Sequence, residues 1–365
     1  MRSADVMILG AGLIGLAVAA EASARGASVL LVGEPRFGEA SPAGAGMLAP
    51  GAESAELPND PVRKFAVDGR DMYPAFLSAL RDETGIDVPF DRNGILELVD
   101  EGTPKLLPAG AEWIDARALR ELEPTLRSFS GAIRHPYDGA VDNVVLVEAL
   151  RRRAESRRSI TMVRASVRSV DVTHARPRAT LDDREVIEAG SLVIATGAWA
   201  GQLDGLPRPL PVRPVRGQLL MFEGALTRHV LYGGGGYVVP RRGPHGATPP
   251  ERTVIGATME EAGFVSETTP EGLAELTEVV RRVLPGSAAA RLVSHWAGLR
   301  PITPDRLPIL GPDPDAPRLL YACGHGRNGI LLAPITGEAI GALAVGAQSP
   351  HNVSVFAIER FGSAQ

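Results

Sequence analysis

The sequence predicts an α/β protein of two domains. One is built on a parallel sheet and is discontinuous along the chain; the other is α+β with a mainly antiparallel sheet. Three observations predict this. Asp5-Val6-Met7-Ile8-Leu9 reads as a short buried strand, Gly10-Ala11-Gly12-Leu13-Ile14-Gly15 follows at once, and an Ala-rich helical run reaches Arg25 before a second apolar strand, residues 29–32. Residues 192–199 form another apolar strand that ends in a small-residue turn at Thr196 and Gly197, the form of a parallel strand whose carboxyl end faces a ligand. Between Gly217 and Gly298 the pattern changes to strands with one helix.

Each glycine of the first turn has a physical task in a Rossmann-type βαβ unit. Gly10 makes the tight turn, Gly12 lets a pyrophosphate approach the backbone, and Gly15 lets the helix pack on the strands. The helix then offers free N–H groups and a positive dipole end to a diphosphate. The run 6–20, with Ala22-Ser23-Ala24 beyond it, also has the outline of a secretory leader. Only Arg2 is basic there, Asp5 opposes it, and the glycines fall in fingerprint register, so no leader is expected.

Residues 40–48 are almost all Ala, Gly, Ser or Pro; they cannot fill a core but can lie against a flat ligand. A helical region is expected at residues 60–84, strands at 88–99 around the turn at Asp91-Arg92-Asn93-Gly94, and a helix at 115–123 closed by Pro124. Helix 144–156 and strands within 161–172 come next, then the Pro-rich stretch 206–214, read as a crossover between domains. Strands follow around Tyr237-Val238-Val239-Pro240, at 254–259 and at 296–301, with a Gly- and Pro-rich loop at 241–252 and a helix at 270–284. Strand 319–324 leads to a last helix from about Leu331 to Val345. Residues 1–85, 136–210 and 301–365 are therefore assigned to the nucleotide-binding domain, and 86–135 and 211–300 to the substrate domain.

Composition narrows the function. A net charge of −5 argues against a nucleic-acid groove or an anionic membrane surface. No stretch approaches the length of a membrane span. Cys323 is the single cysteine, which excludes a disulfide framework, and the cytoplasm is the expected compartment. The seven histidines show no metal-ligand spacing, so no metal is expected.

Three motifs are the most specific pieces, Ala45-Gly46-Met47-Leu48-Ala49-Pro50, Gly298-Leu299-Arg300-Pro301 and Arg327-Asn328-Gly329-Ile330-Leu331-Leu332-Ala333-Pro334, and the last two are much harder to obtain by chance than the glycine turn. In this order along almost the whole chain, they resemble the D-amino acid oxidase family of flavoproteins, most of all its glycine-oxidase branch, which serves thiamine biosynthesis. The resemblance implies non-covalent FAD, oxidation of a C–N bond to an imine, and transfer of the electrons to O2. It matches Gly10, Gly12, Leu13, Ile14 and Gly15 to the diphosphate turn. Ser41, Ala45, Gly46 and Met47 match the segment beside the diphosphate and the flavin ring, and Val167 the backbone that meets adenine. His325, Gly326, Arg327, Asn328, Gly329, Ile330 and Leu331 match the loop at the flavin's pyrimidine edge. Arg300 matches the arginine that holds a substrate carboxylate, Arg327 a second arginine at that site, and Tyr237 the tyrosine that assists; the residues themselves leave Arg327 open between substrate, flavin and an acidic neighbour.

Two departures stand out. Gly33 occupies the position of the usual ribose-binding acid, with Glu34 next; either Glu34 reaches the ribose or that bond is missing. Gly326 and the run Gly233-Gly234-Gly235-Gly236 replace larger residues and open the substrate side.

A guanidinium offers a carboxylate two parallel donors, which fits Arg300 to an amine-bearing acid. The chemistry needs alignment and dryness more than acid–base groups, so no base is named. Gly329-Ile330-Leu331 is expected to open the last helix and aim its positive end at the reduced flavin. His325 is read as a neutral anchor of that loop, Cys323 as a buried thiol, and Met47 and Met259 as candidate walls. The alternatives are a dehydrogenase serving a quinone, an oxidase of a larger secondary amine or D-amino acid, and a non-catalytic flavin-binding member. Homo-oligomerisation is an analogy with relatives only.

Overall fold

The computed structural model describes residues 2–103, 107–126, 128–241, 251–287 and 289–362. Residues 242–250, most of the Gly- and Pro-rich loop singled out above, lie outside that set.

Strand Ser3–Leu9 pairs in parallel with Val29–Val32 on one side and Val186–Ile194 on the other. Ile160–Val163 extends the sheet beyond Val29–Val32, and Leu319–Cys323 extends it beyond Val186–Ile194, both in parallel. Ile309–Pro312 adds an antiparallel edge. The first half of Val186–Ile194 pairs instead with Arg178–Leu181, which pairs with Val167–Asp171.

Alternation along the first strand separates two cores. Val6 and Ile8 join the helices Leu13–Ala24, Asn143–Ser156 and Ala333–Ala344. Met7 and Leu9 face Ala179, Leu181, Leu192 and Tyr321 on the other side. A strand buried on both faces must be apolar throughout, which is why its sequence is so plain.

The second sheet runs Leu292–Ile302, Arg213–Glu223, Arg252–Gly256, Gly236–Arg241, Val230–Gly233, Ile95–Val99, Gly131–His135 and Glu112–Asp115. Its pairings are antiparallel except Val230–Gly233 with Ile95–Val99. Helix Pro270–Val283 lays Leu276, Val279, Val280 and Val283 on Leu220, Val238 and Ile255. A small sheet of Met47–Leu48, Gly139–Val141 and Phe90–Asp91 lies apart from both.

Three elements differ from expectation. The region 60–84 is two helices, Asp60–Asp71 and Tyr73–Thr84, because Pro74 starts a new helix better than it continues one. Residues 112–115 are a strand, and Asp115 caps the helix Ala116–Leu122 by accepting from the N–H groups of Arg117 and Ala118, both at 2.9 Å. The last helix begins at Ala333, so Gly329-Ile330-Leu331 precede it in turns closed by Leu332 N–H to the Asn328 carbonyl at 2.9 Å. No described helix is long and apolar enough to cross a membrane.

Candidate active site

The carboxyl ends of the central parallel strands open onto a cavity of about 380 Å³ that reaches the second sheet at Leu219, Tyr237 and Arg300. Gly10, at φ +110°, lies so close to the next strand that a Cβ would stand 2.2 Å from the Ala195 carbonyl oxygen. A Cβ on Gly15 would stand 1.8 Å from the Gly10 oxygen. Both are required by packing. Gly12 is different: its missing side chain meets only the Ser41 hydroxyl, at 3.3 Å, and borders the cavity. Ser41 Oγ accepts from the Leu13 N–H at 3.1 Å, and Leu13, Ile14 and Ser41 all line the cavity.

At the end of the second strand a Cβ on Gly33 would stand 2.7 Å from the Ala11 nitrogen, so an acid cannot sit there. Glu34 does line the cavity and accepts from the Ser166 hydroxyl, which in turn accepts from Arg36 Nη2 at 2.8 Å. Arg36 stacks over Trp199 at 5.3 Å, and Val167 lines the same end. Thr196 and Gly197 also face in; Thr196 Oγ1 is buried with no hydrogen-bond partner among the described residues.

The small-residue segment is held by its carbonyls. Asn143 Nδ2 donates to the Ser41 and Pro42 oxygens at 2.8 and 3.2 Å, and Trp296 Nε1 to the Ala43 oxygen at 3.0 Å. Ala45, Gly46 and Met47 line the cavity beyond.

Opposite them lie His325, Gly326, Arg327, Gly329 and Ile330. Asn328 and Leu331 are not among the lining residues; Leu331 is buried in the helix-side core. Tyr73 donates to the Ile330 carbonyl from behind. Burial drives His325 down to about 3, so it is neutral, and its Nε2 lies 3.1 Å from Thr336 Oγ1. Burial lifts Cys323 to about 12.

The two arginines differ in their company. Arg327 donates to Glu53 at 2.7 Å and Glu56 at 2.8 Å. Among the described residues no carboxylate pairs with Arg300, whose Nη1 donates to the Thr258 carbonyl at 3.0 Å. Its guanidinium fits because Gly217 has no side chain: a Cβ there would stand 2.0 Å from Nη1. Burial raises the Tyr237 phenol and the adjacent Arg300 opposes that rise, so the hydroxyl is a protonated donor beside the guanidinium. Sequence reasoning missed Glu53, Gly217 and Trp199. Glu53 has no local signal; its partner lies 274 residues away.

Diphosphate chemistry fits this cavity on three counts. Gly12 leaves the backbone bare where a Cβ would project, the helix Leu13–Ala24 starts there without a side-chain cap from Gly12, and the orphaned Thr196 hydroxyl awaits a partner.

Comparison with known proteins agrees. The profile of the family described as FAD dependent oxidoreductase matches residues 5–343. The chain belongs to that family. This FAD-dependent oxidoreductase is 31% identical to glycine oxidase of Geobacillus kaustophilus, over 98% of this chain and 97% of that protein. It is 34% identical to the bifunctional protein ThiO/ThiG of Synechocystis sp., over 98% of this chain and 54% of that protein. The chain thus spans about half the length of the bifunctional relatives it matches. The crystal structure of glycine oxidase from Geobacillus kaustophilus aligns with a TM-score of 0.88 at 29% identity, covering 99% of both chains. The expected α/β fold, FAD as cofactor and the resemblance to amino-acid oxidases are borne out together.

Proposed function

We propose that this chain oxidises glycine or a related small amine-bearing carboxylate to an imine, with O2 as electron acceptor, in thiamine biosynthesis. The observation that carries the reading is Arg300: a guanidinium facing the cavity with no carboxylate partner among the described residues, next to the Tyr237 hydroxyl. On this reading the parallel sheet holds the cofactor and the antiparallel sheet the substrate.

Arg300 holds the substrate carboxylate and Tyr237 donates to it, which fixes the amine-bearing carbon relative to the cavity floor. Gly10, Gly12, Ser41, Thr196 and Gly197 would hold the diphosphate half of FAD, Glu34 and Val167 its adenosine. Ala45, Gly46, Met47 and the 325–330 loop would border the flavin ring. Bound FAD supplies the two-electron acceptor. The amine loses two electrons and two protons, O2 takes them as hydrogen peroxide, and water converts the imine to the oxo acid and ammonia. Met47, Leu219 and Ile330 exclude water around the reacting bond.

A second cavity of about 260 Å³ favours a larger amine as the alternative. It shares Tyr237, Arg300 and Arg327 with the first and is walled by Gly233, Gly235, Gly236, Ala257 and Met259. The glycines make a two-residue hairpin in which Gly234 and Gly235 both have positive φ, as a primed turn demands.

The test is anaerobic flavin bleaching and aerobic oxygen uptake with glycine, sarcosine, D-alanine, D-proline and a bulkier N-alkyl glycine. Bleaching by glycine with peroxide release supports the reading. Bleaching by bulky amines alone selects the alternative. Bleaching without oxygen uptake identifies a dehydrogenase, and a flavin that no amine bleaches refutes the proposal.

A further inference from the structure

Asp138 sits outside the cavity, in the turn between strands Gly131–His135 and Gly139–Val141, and is 1% exposed. One of its oxygens, Oδ2, accepts from the N–H groups of Gly51 at 2.9 Å and Ala52 at 2.8 Å. The other accepts from Arg70 Nη1 at 3.1 Å. His135 closes the pocket from the opposite side and is held by Glu97 at 2.8 Å. Gly51 must be a glycine, since a Cβ would stand 2.8 Å from both Asp138 Oδ2 and His135 Nδ1.

The backbone that Asp138 grips continues directly into the residues that hold Arg327. Glu53 N–H donates to the Ala49 carbonyl and Glu56 N–H to the Glu53 carbonyl, both at 2.9 Å. The side chains of Glu53 and Glu56 then take the two ends of the Arg327 guanidinium. A buried charge is expensive to keep and is retained only where its donors are well placed. Here two of the three donors belong to one turn, and that turn delivers both carboxyl partners of a cavity-lining cation.

We propose that Asp138 is a positioning residue for this active site. Through the turn 51–56 it fixes the two glutamates that occupy Arg327, and so leaves Arg300 as the anchor for a substrate carboxylate. The last clause rests on the proposed function; the placement of Arg327 does not.

The perturbation is Asp138→Asn. An amide has one acceptor atom where Asp138 uses two, so it must turn its NH2 toward either Arg70 or the two backbone N–H groups. Gly51→Ala pushes the same turn off Asp138 without changing a charge and serves as the second variant. The first readout needs no turnover. In a crystal structure of either FAD-loaded variant, the turn 51–56 shifts and Arg327 parts from Glu53 beyond about 4 Å, the limit of an ion pair. A turn and an ion pair left as they are overturn the proposal.

The second readout is a double-mutant cycle on the KM for glycine. Asp138→Asn raises KM about tenfold in the native background but less than about twofold once Arg327→Gln is present, because both changes act through one path. Equal effects in both backgrounds show a merely structural role and overturn the proposal. If the native enzyme oxidises no amine, the proposed function fails, while the crystal structures still decide the role of Asp138.

Discussion

Removal of the Arg300 guanidinium tests the proposed chemistry most directly. Arg300 enters the cavity from strand Leu292–Ile302, opposite Val215 of the neighbouring strand, and owes its position to the empty space at Gly217. One Nη1 hydrogen is committed to the Thr258 carbonyl, which aims the rest of the fork at the cavity. A hydrogen bond to a charged group contributes about 1.5–3 kcal/mol. At about 1.4 kcal/mol per decade, Arg300→Ala therefore weakens carboxylate binding about 10- to 150-fold. Glycolate, a carboxylate with no amine to oxidise, reports this as a Kd from flavin absorbance, and glycine reports it as KM. FAD content stays at the native level, because the glycine turn and the 40–47 segment are on other elements. Gly217→Ala gives a second route to the same defect, since its Cβ displaces the guanidinium without deleting it. A glycolate Kd within about twofold of native in Arg300→Ala refutes the assignment.

Three further outcomes follow from the same geometry. Gly12→Val, whose side chain projects into the cavity, yields folded protein without FAD, whereas Gly15→Val, which collides with the Gly10 carbonyl, yields protein that does not fold; flavin absorbance and circular dichroism distinguish them. Burial lifts Glu53 from 4.5 to about 7. The folded protein thus keeps a proton that the unfolded chain has released, and stability falls as pH rises between those values, by about 3 kcal/mol in total at about 1.4 kcal/mol per pH unit. Urea unfolding across that window shows the slope in the native protein and loses it in Glu53→Gln; an unchanged slope in the variant excludes Glu53 as its source. Cys323, buried and lifted to about 12, resists thiol-exchange reagents in the native protein and reacts once the chain is unfolded in guanidinium. Rapid labelling of the native protein contradicts its burial.

The first βαβ unit was legible because its signals are local. A strand, three glycines and a helix occupy consecutive residues, and strand Val29–Val32 appears with its expected bounds. The motifs at Ala45–Met47, Arg300 and Arg327 were legible through resemblance, and the structure brings these residues to one cavity. Gly33 shows what sequence leaves open. The departure from an acid left either a contact from Glu34 or a lost ribose bond; a Cβ at Gly33 would stand 2.7 Å from the Ala11 nitrogen, and Glu34 borders the cavity. The break at Met72 follows from Pro74, a signal present in the sequence but outweighed by a continuous helical pattern.

Arg300 and Arg327 carry the same side chain and both stand near glycines; sequence assigned Arg300 to the substrate carboxylate and left Arg327 open between substrate, flavin and an acidic neighbour. Their difference comes from residues that periodicity and motifs do not register. Glu53 and Glu56 lie more than 270 residues before Arg327 and reach it from a turn whose Gly51 and Ala52 N–H groups are held by Asp138, from a third segment. Arg300 instead meets a backbone carbonyl and a protonated phenol, which orient a cation without neutralising it. An anion entering the cavity therefore encounters one guanidinium held by two glutamates and one with no carboxylate partner among the described residues. On the proposed reading, the partners each arginine already has, rather than its residue type, decide which one binds it. That asymmetry fits a substrate with a single carboxylate, and through Glu53, which lines the cavity, it makes the turn 51–56 part of the specificity of the proposed site.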